Sequence, residues 1–167
     1  ASFTGKSLHK GGSEGREAAT GRGGVIVQSR LLELQNRKES ITYAVQGFGN
    51  VGSFFGLVAA EEQQDWKMIA ATDSSGGIYD AKGFDPKELD GFKRRGGKLH
   101  SLEKGRPITN EELLALDVDV LVLAALGNTI TAKNMHEVKA KYILELANGP
   151  VDEEAYNYLT SKGVMVI

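Results

Sequence analysis

Three glycines and one aspartate have the types and spacing needed to bind a nucleotide. Gly47, Gly49 and Gly52 form a G-x-G-x-x-G run directly after the apolar residues 41–45, and Asp73 ends a second apolar run about 20 residues later. Such glycines let a chain turn, approach a pyrophosphate and pack a helix on a strand, while the acid accepts hydrogen bonds from a ribose. The pattern therefore predicts a dinucleotide-binding strand–helix–strand unit.

The glycine run alone also fits two other structures. A tight strand–helix turn without a ligand contains the same glycines, and folds that bind S-adenosylmethionine share part of the pattern. The chain has 21 glycines, so the run by itself is weak evidence. Its context favours the dinucleotide, because an apolar run precedes it, a helix-like segment follows, and the helix N-terminus would offer free N–H groups to phosphates.

The composition excludes several classes of protein. With 167 residues, 41% of them hydrophobic and 25% charged, the chain has the character of one soluble globular domain. A net charge of −2 gives no basic field, so we expect no nucleic-acid partner. No apolar run approaches the roughly 20 residues of a membrane span, so we expect no membrane partner either.

The sequence also indicates neither a reactive thiol nor a set of metal ligands. The chain has no cysteine, which excludes disulfides, thiol nucleophiles and thiolate metal sites, and we expect a cytoplasmic protein. His9, His100 and His136 share no ligand spacing with one another or with paired acids. The sequence therefore predicts no metal site.

Strand-like and helix-like segments alternate after residue 40. The predicted strands are residues 41–46, 67–73, 118–124, 142–145 and 164–167, and the predicted helices lie near residues 51–62, 86–96, 110–116, 131–138 and 152–162. The strands are continuous apolar runs, as expected where helices cover both faces of a sheet. The pattern predicts an α/β fold of the Rossmann-like, doubly wound type, with a mainly parallel sheet. Residues 96–107 are interpreted as a basic loop.

Residues 1–40 precede this core. We predict an entry loop over residues 1–12, and then a helix over residues 13–35 that Ser13 begins. Gly21, Gly23 and Gly24 interrupt this helix, and each costs roughly 1 kcal/mol relative to alanine in a helix interior. Three glycines together therefore indicate that backbone or ligand approaches the helix closely.

Six segments carry a resemblance to a known family. They are GREAATGRG (15–23), QGFGNVG (46–52), TDSSGGIY (72–79), ITNEELL (108–114), AALGNTI (124–130) and ANGP (147–150). In this order they closely resemble the coenzyme-binding domain of glutamate dehydrogenases, within the wider Glu/Leu/Phe/Val amino-acid dehydrogenase superfamily. The resemblance covers essentially the whole chain.

The resemblance implies an oxidoreductase that transfers hydride from an amino acid to NAD or NADP and releases a 2-oxo acid and ammonia. Residues 1–167 would be its NAD(P)-binding domain. The family's glycine-rich lysine motif and catalytic aspartate do not occur here, so we expect the substrate domain to lie outside this sequence, with no catalytic residue inside it. The fragment alone would be inactive, and the full-length enzyme would be a homo-oligomer, a hexamer.

The resemblance also assigns the cofactor contacts. The phosphates would contact Gly47, Gly49 and Gly52 and the amides of Phe48, Asn50 and Val51, and the adenosine ribose would contact Asp73 and Ser74. Thr20, on the same helix as Arg16, would lie near the nicotinamide, and Asn148 would bind the nicotinamide carboxamide. Ala124, Ala125 and Asn128 would lie beside the cofactor's ribose. Two positions depart from the family pattern, because Gly127 and Leu146 stand where the family commonly has Glu and Gly.

The choice of cofactor stays open at this stage. Asp73 favours NAD slightly, because its charge would repel a 2′-phosphate. Ser74 and Ser75 offer donors to such a phosphate, and Lys82 is a candidate cation. The basic run that includes Lys93 is interpreted as a solvated helix end. Two other functions also stay open, a leucine, phenylalanine or valine dehydrogenase domain and a non-enzymatic dinucleotide-binding module.

Overall fold

A computed structural model describes residues 16–37, 40–125 and 127–167, with Arg16 and Glu17 described through their backbone alone. Five α-helices and seven β-strands lie in these ranges. In chain order they are α1 (Arg16–Leu34), β1 (Ile41–Gln46), α2 (Asn50–Glu62), β2 (Trp66–Asp73), β3 (Gly76–Phe84), α3 (Pro86–Arg94), β4 (Arg106–Ile108), α4 (Asn110–Leu114), β5 (Val120–Leu123), β6 (Tyr142–Glu145), α5 (Glu153–Ser161) and β7 (Met165–Val166). The predicted entry loop, Ser13 and His9 lie outside the described residues.

The strands form one sheet in the order β4-β3-β2-β1-β5-β6-β7. Strands β2, β1, β5, β6 and β7 are parallel to their neighbours, whereas β3 and β4 join the β2 edge in antiparallel pairing. The predicted doubly wound, mainly parallel sheet is confirmed. Two of the five predicted strands, β1 and β6, have the predicted ends, and the other three differ by a few residues.

Helices cover both faces of the sheet, and each face has its own apolar core. Along β1, Tyr43 and Val45 point into the core beneath α1, α2 and α3, which also contains Phe55. Ala44 points to the opposite core, which α4 and α5 cover. Successive residues of a strand face opposite sides of a sheet, so the continuous apolar run of β1 serves both cores.

The antiparallel strands at one side of the sheet were not predicted from the sequence pattern. No strand was predicted for residues 76–84, but they form β3, which returns along β2 with Asp73 opposite Gly76. The predicted loop at residues 96–107 contains a short 3-10 helix, Leu99–Ser101, and ends in β4. Edge strands carry few apolar side chains, so the periodicity that reveals a buried strand is absent here.

The predicted helix at residues 131–138 is also wrong. The chain forms a turn there, followed by a short 3-10 helix, Met135–Glu137. Asn134 explains the difference, because its side chain accepts from the Thr131 N–H at 2.8 Å and donates to the Thr129 carbonyl at 2.9 Å. Side-chain bonds of this kind compete with the backbone bonds of an α-helix.

Two of the three α1 glycines permit close packing. A Cβ on Gly21 would lie 2.7 Å from the Phe55 nitrogen of α2, and a Cβ on Gly24 would lie 2.7 Å from Leu146 Cδ2 beyond β6. A Cβ on Gly23 would meet nothing within 4 Å. The expected close approach is therefore confirmed at Gly21 and Gly24, and it holds α1 against both α2 and the sheet.

Candidate nucleotide-binding site

The carboxyl ends of four parallel strands meet at one edge of the sheet. In register, Gln46 of β1 lies between Thr72 of β2 and Leu123 of β5, and Leu123 lies beside Glu145 of β6. Most of the residues assigned to a cofactor follow this row directly. The exception is Thr20 on α1. In a doubly wound sheet, this edge is where ligands bind.

The glycines of the loop between β1 and α2 have three different roles. Gly47 has a φ of +88°, a conformation that side chains disfavour, and a Cβ there would lie 2.6 Å from the Ala125 nitrogen. A Cβ on Gly52 would lie 2.3 Å from the Gly47 carbonyl oxygen. A Cβ on Gly49 would meet nothing within 4 Å. Gly47 and Gly52 are thus required by the fold, whereas Gly49 keeps open a space that none of the described residues fills.

The N-terminus of α2 is not satisfied by side chains. Gly49 is its N-cap and provides no side-chain hydrogen bond, and no acid lies in the first turn. Asp85, Thr109 and Asp152, by contrast, cap α3, α4 and α5 with their own oxygens. An uncapped helix N-terminus has free N–H groups and a positive dipole end, which suits a phosphate.

The backbone bonds of this loop decide which amides are available. The Phe48 N–H donates to the Thr72 carbonyl at 2.7 Å, so the assignment of Phe48 as a phosphate donor does not fit the structure. Its ring lies instead in the core under α2. The Asn50 and Val51 N–H groups donate to no backbone carbonyl in the described ranges. These two amides fit the pyrophosphate.

Asp73 at the end of β2 is held on both carboxylate oxygens. Oδ1 accepts from the Ser75 N–H at 2.8 Å and from the Ser75 hydroxyl at 2.7 Å, and Oδ2 lies 2.7 Å from Lys93 Nζ. Burial raises the pKa of Asp73, but the hydrogen bonds from Lys93 and Ser75 outweigh it, and the pKa lies below the ordinary value. The side chain is therefore an ionised acceptor. It also caps the turn that follows β2, through its two bonds from Ser75.

Lys93 is a site residue that the sequence analysis missed. It was interpreted as part of a solvated helix end, but its side chain is only 24% exposed. Its ammonium donates to the Phe48 carbonyl at 2.6 Å as well as to Asp73. It thus joins the glycine loop between β1 and α2 to Asp73. The contact arises because α3 packs on α2. No residue spacing in the sequence predicts that Lys93 reaches Asp73.

The suggested approach of Lys82 to this site is wrong. Strand β3 runs antiparallel to β2, with Gly76 opposite Asp73 and Phe84 opposite Met68. Lys82 therefore lies near the amino end of β2, far from Asp73. Ser74, in contrast, is exposed beside Asp73 and lines a groove of about 450 Å³.

The ends of β5 and β6 bring the other assigned residues to the same edge. The Ala124 N–H donates to the Gln46 carbonyl at 2.8 Å, and Ala125 packs against Gly47. Asn128 and Asn148 follow β5 and β6 as exposed side chains. Both asparagines are available to a ligand without loss of any hydrogen bond in the described part of the protein.

Two departures from the family pattern can now be placed. Leu146 packs against Gly24 of α1 and is partly buried against the core, so it faces the helix. Gly127 has a φ of +106°, so a side chain there would strain the backbone. Thr20 is half-buried on α1, beside Gly21 where this helix touches α2.

The described ranges contain neither a metal-binding cluster nor a membrane-spanning helix. No group of three or more histidine and carboxylate side chains is placed to hold a metal ion there. None of the helices in these ranges is long and apolar enough to cross a membrane.

Comparison with known proteins decides the family. The family model described as Glutamate/Leucine/Phenylalanine/Valine dehydrogenase matches residues 11–167. The chain belongs to this family. The matched residues include every strand, helix and loop of the candidate site described above.

Curated members of the Glu/Leu/Phe/Val dehydrogenase family match along nearly the whole chain. Glutamate dehydrogenase of Thermotoga maritima is 46% identical over 98% of this chain and 39% of its own length. NADP-specific glutamate dehydrogenase of Synechocystis is 44% identical over 98% of this chain and 40% of its own length. The chain therefore spans about two fifths of the curated relatives that it matches.

Solved structures of the family share the fold. The hetero-hexameric glutamate dehydrogenase of Thermus thermophilus, in a form with leucine bound, superposes with a TM-score of 0.82 at 33% identity, over 98% of this chain and 38% of its own. Glutamate dehydrogenase of Peptoniphilus asaccharolyticus gives a TM-score of 0.70 at 33% identity, over 98% of this chain and 37% of its own. The sheet order and helix placement are those of glutamate dehydrogenases.

Proposed function

We propose that this chain is the dinucleotide-binding part of a glutamate dehydrogenase. The whole protein would oxidatively deaminate L-glutamate to 2-oxoglutarate and ammonia, with NAD or NADP as hydride acceptor. One observation carries the proposal: the open space at Gly49, the free amides of Asn50 and Val51 and the ionised Asp73 lie at the same strand edge. Relatives at 40–46% identity are glutamate dehydrogenases, which supports glutamate over the other amino acids of the family.

The residues of this chain would bind and orient the cofactor. The Asn50 and Val51 amides and the α2 dipole would hold the pyrophosphate, and Asp73 would accept hydrogen bonds from the adenosine ribose. Thr20 and Asn148 would position the nicotinamide end. The nicotinamide ring supplies the hydride chemistry, so the contribution of this domain is geometry and charge.

The chain alone would not turn over glutamate. No residue of this site is a candidate general base for the amino acid, and the chain spans only 39% of its Thermotoga relative. We propose that the remainder of the protein supplies the substrate side of the cleft. We also propose a hexameric assembly for the whole protein, since the Thermus relative is a hetero-hexamer.

The pair of Asp73 and Lys93 bears on the choice between NAD and NADP. We propose that NAD binds slightly better, because Asp73 is ionised and would accept from the free ribose hydroxyl of NAD. Lys93 favours NADP as a second candidate. Its ammonium lies 2.7 Å from Asp73 Oδ2 and would offset the negative charge of a 2′-phosphate. The Synechocystis relative is NADP-specific. The two effects oppose each other, so we expect weak discrimination.

Calorimetric titration of this chain with NAD and, separately, with NADP tests the proposal. Saturable binding of either dinucleotide supports it, and the ratio of the two dissociation constants measures the cofactor preference. Failure of both to bind contradicts it and favours a domain that needs no dinucleotide. Deamination of glutamate by this chain alone would contradict the assignment of the substrate side to the rest of the protein.

A further inference from the structure

The sheet order places the two halves of a bound dinucleotide on opposite sides of β1. Strand β2, which ends at Asp73, lies on one side of β1, and β5 and β6 lie on the other. A pyrophosphate at the N-terminus of α2 would have the adenosine ribose on the Asp73 side. The nicotinamide half would therefore extend over the ends of β5 and β6. The residues that follow these two strands are the ones that can hold it.

Asn148 lies in a short loop at this end of the sheet. Residues 146–151, here named the Asn148 loop, lead from β6 toward α5. The Asn148 side chain is exposed, and no hydrogen bond within the described residues fixes it. Gly149 beside it has a φ of +56°, a left-handed conformation that turns the chain at this point. The position of the Asn148 amide thus depends on the backbone of the loop.

Backbone bonds hold both ends of the Asn148 loop. At its start, the N–H groups of residues 146 and 147 donate to the Leu123 carbonyl at 2.9 and 3.2 Å. Near its end, the Pro150 carbonyl accepts from the N–H groups of residues 129 and 130 at 2.7 and 2.9 Å. These bonds tie the loop to β5 and to the segment after β5. None of them ties the end of the loop back to β6.

Glu145 makes that connection. It is the half-buried last residue of β6, and its Oε1 accepts from the Val151 N–H at 3.2 Å. The parallel bridge between Ile130 and Val151 uses the Pro150 carbonyl and the Asp152 N–H, which leaves the Val151 N–H for Glu145. Within the described residues, this is the one side-chain hydrogen bond that the loop makes. It joins the last residue of the loop to the strand from which the loop departs.

We propose that Glu145 is a positioning residue for the nicotinamide: through Val151 it fixes the Asn148 loop, so that the Asn148 amide meets the carboxamide of the cofactor. This inference rests on the proposed dinucleotide function. A carboxamide and an asparagine amide each carry a donor and an acceptor, so two hydrogen bonds can join them. Such a pair needs a fixed orientation, and a loop displaced by about 1 Å would no longer provide it.

ADP-ribose measures what the nicotinamide contributes, because it is NAD without the nicotinamide. Calorimetric titration of the chain Ala1–Ile167 gives the dissociation constants of both ligands. We expect the wild-type chain to bind NAD about tenfold more tightly than ADP-ribose, the effect of one well-made hydrogen bond. If the chain prefers NADP, the 2′-phosphorylated pair of ligands replaces them.

Two variants of Glu145 separate its acceptor oxygen from its charge. Glu145→Met keeps the length of the side chain and removes the acceptor, so we expect the affinity for NAD to fall to that for ADP-ribose. The affinity for ADP-ribose itself should not change, because its pyrophosphate and adenosine lie at α2 and β2. Glu145→Gln keeps an oxygen that can accept from Val151, so the tenfold ratio should be retained.

A double-mutant cycle shows whether Glu145 acts through Asn148. Asn148→Ala should abolish the tenfold ratio as Glu145→Met does. The double variant should lose nothing more, because both changes remove the same contact with the carboxamide. Losses that add in the double variant would mean that Glu145 does not act through Asn148, and would overturn the inference.

Asp80→Ala is the control. Asp80 Oδ1 accepts from the Lys82 N–H at 2.8 Å, which is the same kind of carboxylate–backbone bond. It lies on β3, four strands away from β6, so its removal should leave the ratio unchanged. Thermal unfolding of every variant, followed by circular dichroism, shows that each is folded at the titration temperature.

The possible failures of the inference and of the proposed function are distinct. Equal binding of NAD and ADP-ribose to the wild-type chain overturns the inference but leaves the dinucleotide site intact, and so does an unchanged ratio in Glu145→Met. A ratio lost in Glu145→Gln also overturns it. Failure of NAD, NADP and ADP-ribose to bind contradicts the proposed function as well. If Glu145→Met does not fold, Glu145→Asp, which is one methylene shorter, should lower the ratio instead.

Discussion

Leu146 Cδ2 occupies the space that a side chain at Gly24 would need, 2.7 Å from the position of a Cβ there. The α1 helix can therefore contact the residue after β6 only because position 24 has no side chain. Phe55 and Leu144 close the same space, with atoms at 3.2 and 3.3 Å from that Cβ position. Together these contacts fix α1, and with it Thr20, against the sheet.

The first prediction concerns this contact. Gly24→Ala should give a lower free energy of unfolding than Gly23→Ala, because the side chains of Leu146, Phe55 and Leu144 must shift to admit the new methyl group. Gly23→Ala is the control in the same helix, because its Cβ would meet nothing within 4 Å and alanine favours helix by about 1 kcal/mol. Urea denaturation measures both. A Gly24→Ala chain as stable as Gly23→Ala would contradict the packing argument.

The second prediction separates the two later glycines of the phosphate loop. Gly49→Ala should fold normally but bind NAD and NADP at least about tenfold more weakly, because its methyl group takes space reserved for phosphate. Gly52→Ala should destabilise the fold itself, since its Cβ would lie 2.3 Å from the Gly47 carbonyl oxygen. Thermal unfolding and calorimetric titration of both variants test this. Unchanged affinity in Gly49→Ala would show that the space has another use.

The third prediction concerns Lys93. Lys93→Met should raise the pKa of Asp73 toward its ordinary value, since the burial that raises it would then be opposed by Ser75 alone. It should also weaken NADP binding more than NAD binding. Arg94→Met is the control, because Arg94 is an exposed neighbour that pairs with Asp90. Carboxyl NMR titration and calorimetry give the two results. Equal losses for both cofactors would show that Lys93 only supports the loop.

The sequence predicted the parts of this site that are local. The strand before Gly47, the helix after Gly49 and the acid at Asp73 are neighbours in the chain, so periodicity and glycine placement reveal them. Lys93 could not be recognised in the same way. Its contact with Asp73 depends on α3 packing on α2, which is a tertiary relationship.

The last prediction concerns acid stability. Asp119 is a mostly buried carboxylate that accepts from the Thr42 N–H at 3.0 Å and lies 2.9 Å from Lys141 Nζ, at the sheet edge opposite to Asp73. Burial raises its pKa, but the bonds to Thr42 and Lys141 outweigh burial and lower it. A lowered pKa in the folded state means that the unfolded chain takes up protons first as the pH falls.

The stabilisation from Asp119 should therefore be complete above its unfolded pKa, close to the ordinary value of 3.8, and be lost as the pH falls through the lower folded pKa. Asp119→Asn should reduce the free energy of unfolding at pH 7 and flatten its decline in acid. Asp90→Asn on α3 is the control, because Asp90 pairs with an exposed arginine. Urea unfolding at pH 7 and at several acidic pH values measures the slopes. An Asp119→Asn chain whose stability falls as steeply as that of the wild type would show that the acid dependence arises elsewhere.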